Sequence, residues 1–256
     1  MFLREGKVPL VWWDQTSNFG DLLSPWLVRK ISKRDVIRAT PDEPHYSAIG
    51  SILDKTSNNA VVWGSGSFGT EKRKDVPPGA KFLAVRGPLT RNKIDISKKK
   101  CPRIYGDPAL LVPNYYPRTV DATHELGLIV RWSEPKWRDG FNVNGVKLID
   151  FARGDIESVL DEIHSCKRII SSSLHGLIIA DAYGIPNAWL ASRSPRGKEF
   201  KFFDYFLSVG KLRKPIHFDL LSPDATLEKM IDGIEFNGDP IDIDLNALMN
   251  CCPFQS

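Results

Sequence analysis

The stretch IISSSLHGLIIADAYGIPNAWL, residues 169–190, decides the fold. A short apolar run ends in three serines and a histidine. A segment rich in small apolar residues at helical spacing follows, and residues 187–190 then read as a strand again. Working outward, the same alternation fills the chain. Strands are expected over 8–13, 60–63, 81–85, 126–132, 146–150, 168–171 and 187–190, and helices over 22–31, 156–166 and 177–183. Several strands are near-continuous hydrophobic runs, as parallel strands covered on both faces are. The class is α/β. The polar, proline-punctuated and patternless PNYYPRTVDAT at 113–123 divides the series, and a second one starts at Glu125. We expect two similar halves, 1–117 and 118–256, facing each other across a cleft, then a tail with one helix over 226–234 and an irregular close. Ligands of open parallel sheets bind where strands end and helices begin, so candidate residues are sought there.

Composition narrows the class of partner. The chain has 256 residues, 42% hydrophobic and 26% charged, with a net charge of +4. That is an ordinary globular protein, large enough to bury a core without a disulfide or metal staple. So mild a basic excess argues against charge-driven nucleic-acid binding and suits anionic small molecules or brief contact with an anionic membrane face. The four cysteines form no C-x-x-C pair, and the five histidines show no H-x-H or H-E-x-x-H spacing, so no metal is expected. No stretch approaches the roughly 18 apolar residues of a membrane span and no signal peptide opens the chain. A cytoplasmic protein is expected.

The local motifs each have a structural and a chemical reading. Gly64-Ser65-Gly66-Ser67-Phe68-Gly69 fits G-x-G-x-x-G after a strand, but TEKRKDVPPG follows instead of a helix, and the window near position 86 offers Arg in place of an acidic residue. A nicotinamide cofactor is therefore not expected. The better reading is a strand-end loop, at Ser65 and Gly66, that admits a ligand closely. In Val85-Arg86-Gly87-Pro88, Pro88 suits a first helical turn and places Arg86 at its mouth, a site for phosphate or carboxylate or else a surface ion pair. Ser171, Ser172 and Ser173 can cap the helix that follows and, with its amides, cradle an anion. His175 then points to the cleft as a proton carrier near neutral pH, or packs as a core histidine bonded to the opposite half. Asp21 and Asp107 read as helix caps. Asp242-Ile243-Asp244 has the D-x-D form of metal-dependent glycosyltransferases, but stands in the irregular tail.

Taken in order, NFGD at 18–21, WGSG at 63–66, VRGPLT at 85–90, GDPALL at 106–111 and SSSLHGLIIADAYGIP at 171–186 resemble the polysaccharide pyruvyl transferase family. The resemblance implies two Rossmann-like domains in a GT-B-like arrangement. It also implies transfer of the pyruvyl group of phosphoenolpyruvate to two hydroxyls of a sugar, forming a cyclic ketal in exopolysaccharide or capsule biosynthesis. No cofactor is implied. The acceptor expected is a lipid-linked oligosaccharide met at the inner face of the plasma membrane. The catalytic residues expected are His175 and Asp21, with Arg86, Ser65, Gly66, Ser172, Ser173, Asn18 and Arg193 binding substrate.

One departure stands out. Many members carry arginine where this chain has Ser173, so another cation must serve, and Arg131, Arg193, Arg196 and Lys198 are candidates. Two alternatives share the scaffold. A GT-B glycosyltransferase would need an acidic contact to a nucleotide, for which Asp181 and Asp204 are the offers. The other is a non-catalytic sugar- or nucleotide-binding protein.

Overall fold

The computed structural model describes residues 1–94, 101–118, 120–191 and 199–255. The first series runs β1 (Val8–Leu10), α1 (Phe19–Ser32), β2 (Val36–Arg38), β3 (His45–Ser47), β4 (Ala60–Trp63), β5 (Lys81–Ala84) and α2 (Pro88–Lys93), then a 3-10 helix at Pro108–Asn114. The second runs β6 (Leu126–Val130), α3 (Pro135–Gly140), β7 (Val146–Asp150), α4 (Ile156–His164), β8 (Ile169–Ser171), α5 (Leu174–Ala182) and β9 (Asn187–Trp189). Three helices close the chain: α6 (Phe200–Ser208), α7 (Leu227–Asp232) and α8 (Leu245–Asn250).

Each series builds one sheet whose ladders are all parallel. The orders are β2-β1-β3-β4-β5 and β7-β6-β8-β9. In the second sheet β6 pairs with β7 from Leu126↔Val146 to Val130↔Asp150, and β8 joins β6 to β9. Parallel pairs need long crossovers, and the helices supply most of them. α5 is apolar almost all round because it is covered on all sides. It lies between its own sheet and the 3-10 helix Pro108–Asn114 of the other half. One apolar cluster therefore runs through both halves, from Leu10 and Phe19 to Phe151, Leu177 and Phe206.

The sequence expectation and the structure part in several places. β2 and β3 are unexpected strands of three residues, too short to show a period. α1 begins at Phe19, so Asn18 holds the N-cap position and Asp21 lies within the first turn instead of capping it. The aromatic run at 200–208, to which the sequence reading assigns no element, is the helix α6. The tail is not irregular at its close: Asp244 caps α8 by accepting from the Ala247 amide, which gives the second carboxylate of the D-x-D a structural use. The chain's end also returns to the first sheet. The Trp63 indole donates to the Leu248 carbonyl at 2.9 Å, and Phe254 packs edge-on against Tyr46 and Trp63.

Candidate functional site

Four strand ends converge on one place. β1 leads to Asn18 and Asp21, β5 to Arg86, β6 to Arg131 and Glu134, and β8 to Ser172, Ser173 and His175. The halves meet here through backbone as well, since the Phe19 amide donates to the Phe151 carbonyl at 2.9 Å.

His175 sits in the first turn of α5 with only 12% of its side chain exposed. Its Nε2 lies 3.8 Å from Asp107 Oδ2, and neither atom has a hydrogen-bond partner among the described residues. Asp107 is fully buried and caps the 3-10 helix through its other oxygen, accepting from the Ala109 amide, as its expected capping role requires. The other face of the imidazole lies against α1. A Cβ placed on Gly20 would stand 2.1 Å from His175 Nδ1, so the glycine of NFGD is the gap that lets the ring in. Gly20→Ala must therefore displace the ring. We expect a fall in kcat/KM of about 100-fold with the thermal midpoint nearly held; full activity in this variant would detach His175 from the chemistry.

Electrostatics change the reading of these groups. The sequence suggests a histidine that trades protons near neutrality. Instead burial, with the Lys201 and Arg86 charges, pushes the imidazole down to about 3, so it is neutral at physiological pH. Burial pushes the Asp21 carboxyl up to about 6 against a hydrogen bond from the Asn18 amide and the pull of Lys201 and Lys55. It pushes Asp107 up to about 6 as well, opposed mainly by Arg86. The site thus pairs a neutral base with two carboxyls that keep their protons unusually long.

Arg86 is not at an open mouth. It is fully buried, with Nε donating to Asp204 Oδ2 at 3.1 Å, NH1 to Ser51 Oγ at 2.7 Å and NH2 to the Ser67 carbonyl at 2.7 Å. The anion that suits the start of α2 is the protein's own: Asp204 accepts from the Thr90 amide at 2.8 Å and the Thr90 hydroxyl at 2.6 Å. Gly66 serves this network, because a Cβ there would stand 2.1 Å from the Arg86 guanidinium carbon. Ser65 is buried and donates to the Ala48 carbonyl. These two residues shape the wall behind the site instead of facing it.

The serines divide their work. Ser173 holds the N-cap position of α5 but makes no capping bond with its side chain, while Ser171 Oγ accepts from the Ser173 amide and donates to its carbonyl. Ser172 accepts from the Arg131 amide and donates to Glu134. Arg193, with Arg196 and Lys198, lies outside the described residues. The group that sequence reasoning missed is Lys201, at the start of α6. Burial and the charges of Arg131 and Arg86 push it down to about 7. Its only signal was a lysine in an aromatic run, which reads as surface.

Both carboxylates offered for a nucleotide are engaged in the fold. Asp204 holds Arg86 and Thr90, and Asp181 accepts from Asn187, Tyr205 and Lys211. Among the described residues no group of three His, Cys, Asp or Glu is placed to hold a metal ion.

Comparison with known proteins agrees with the ordered segments. The chain is 28% identical over 244 residues to the succinoglycan biosynthesis protein ExoV of Rhizobium meliloti, covering 90% of this chain and 72% of that one. It is 26% identical over 211 residues to an uncharacterised protein of Acanthamoeba polyphaga mimivirus, covering 75% of this chain and 71% of the relative. No solved structure matches it significantly. The family described as polysaccharide pyruvyl transferase matches over residues 18–194, from the Asn18 that opens α1 to the segment past β9. By that match, across most of its length and through every strand end that builds the site, the chain belongs to the polysaccharide pyruvyl transferase family.

Proposed function

We propose that the protein moves the pyruvyl group of phosphoenolpyruvate onto two hydroxyls of one sugar residue, closing a cyclic ketal during assembly of a bacterial surface polysaccharide. The observation that carries this reading is the neutral His175, faced by Asp107, beside a wall that holds Lys201, Arg131 and Arg86. A donor bearing both phosphate and carboxylate needs such a wall, and proton traffic needs the imidazole. We read the two sheets as a GT-B-like pair of Rossmann-like domains, 1–117 and 118–256, with the chain's end returning onto the first.

The reaction must place one proton on C3 of the donor and remove two from the acceptor. In this reading Asp21 delivers the proton to C3, and the donor's negative charge raises its carboxyl further. His175 takes the proton of the first hydroxyl as its oxygen bonds to C2. The C2–O bond to phosphate breaks, the second hydroxyl closes the ring and loses its proton, and one of the two hydroxyl protons leaves with phosphate. The other restores the acid. Arg86 acts from behind, tying Asp204 to the loops at Ser51 and Ser67, and the donor's contacts fall to residues that face the cleft. Among the described residues no helix is long and apolar enough to cross a membrane. In this reading the lipid-linked acceptor is met by surface contact, for which the +4 charge is favourable.

Thermal denaturation with phosphoenolpyruvate and with a panel of nucleotide sugars tests the donor. Saturation at about a hundred times the dissociation constant adds roughly 2.7 kcal/mol. We expect a rise of roughly 5–10 °C with phosphoenolpyruvate alone. A rise with a nucleotide sugar instead would make the protein a glycosyltransferase on this scaffold.

A further inference from the structure

Lys201 is a partly buried cation for which no described residue supplies a partner. Its ammonium lies over two aromatic faces, 5.6 Å from the centre of the Phe68 ring and 5.2 Å from that of Phe202. It is only partly exposed, and it makes no hydrogen bond or ion pair with any described residue. Its neighbours are differently placed. Arg86 is bound to Asp204, and the Glu134 charge acts favourably on Arg131. A cation held away from water without a counter-charge is costly, and phenyl faces compensate only in part.

The charges facing Lys201 come from every surrounding element. Asp21 of α1 and Glu134 beyond β6 attract it, while Arg86 beyond β5 and Arg131 beyond β6 repel it. Its own charge acts in turn on His175 of α5. Removal from water and repulsion outweigh attraction, so this spot is short of negative charge by the protein's own account. A bound anion would correct that.

We propose that Lys201 binds the phosphate of the donor, supplying from α6 the charge that Ser173 does not bring from the start of α5. The inference rests on phosphoenolpyruvate being the donor. Two aromatic rings fix the ammonium from below, which leaves its N–H groups for the ligand. Because burial and the two arginines bring Lys201 to about 7, the free protein loses this charge as pH rises through neutrality. Donor affinity then falls in the same range, although the phosphate itself gains negative charge there.

The test is calorimetric titration of the whole chain with phosphoenolpyruvate and, separately, with orthophosphate, at pH 6.5 and 8.5. Wild type, Lys201→Met and Lys201→Arg are compared. Methionine keeps an apolar stem on Phe68 and Phe202. We expect wild-type affinity to fall tenfold or more between the two pH values. Lys201→Met should bind about 10- to 100-fold more weakly at pH 6.5 and show no such fall. Lys201→Arg should bind at both, because arginine stays charged. Wild-type affinity in Lys201→Met would overturn the assignment and leave the donor reading intact. Orthophosphate binding that is lost in Lys201→Met, with no binding of phosphoenolpyruvate, would overturn the donor and keep the anion site. Binding of neither overturns both. Should Lys201→Met fail to fold, a wild-type fall of affinity with pH in Lys201→Arg overturns the assignment.

Discussion

His175→Ala should abolish turnover, by a factor of about 10²–10⁴, while phosphoenolpyruvate still binds within several-fold of wild type. The reasoning is geometric before it is electrostatic. The ring fills the gap that Gly20 leaves and turns one nitrogen to Asp107, so it is held at the meeting point of both halves. Among the described residues it has no hydrogen bond whose loss would weaken the fold, and removing it relieves a buried Nε2 that has no partner there. The variant should therefore remain folded, and a thermal midpoint within a few degrees of wild type separates lost chemistry from lost structure. Phosphate release from phosphoenolpyruvate in the presence of acceptor is the assay. Activity within tenfold of wild type would assign the proton transfer elsewhere, with Asp21 the next group to examine.

Arg86→Ala should have its main effect on stability. The guanidinium is wholly buried, and alanine would leave Asp204 as an unpaired buried carboxylate facing Thr90 alone. Breaking one side of a buried ion pair costs about 3–5 kcal/mol. At this chain length that is a fall of roughly 6–20 °C in the thermal midpoint. Asp204→Ala should fall comparably, and the double variant should lose much less than the sum, because each residue's cost is largely the other's isolation. A stable Arg86→Ala that merely raises the apparent donor constant would show that the arginine reaches the ligand after all.

What was legible in the sequence follows from how each feature is encoded. Continuous apolar runs such as Leu126–Val130 announce themselves, and the serines before α5 mark a strand end. The three-residue strands Val36–Arg38 and His45–Ser47 carry too little pattern to register against their flanks. α6 was hidden for a different reason. Its phenylalanines and tyrosine favour strands intrinsically and become helical through packing on Trp189 and on the loop at Phe68. Lys201 went unassigned with it and Asp204 was offered only as a nucleotide contact; both lie past residue 194, where the family match ends. His175 and Asp21 could be singled out because their motifs are local. The burial of Arg86 could not, because the carboxylate that seals it is 118 residues away.

The return of the chain's end to the first sheet carries a consequence for synthesis. Trp63 finds its indole partner at Leu248, 185 residues further along the chain, and an aromatic neighbour at Phe254. A ribosome that has delivered the whole first sheet has thus not yet delivered the side chains that finish its core. The nascent N-terminal half must wait, with Trp63 and Tyr46 incompletely covered, until α8 and Phe254 have left the ribosome. Proteins stalled or truncated before α8 should be captured by chaperones or degraded even though every residue at the strand ends of the site is already present.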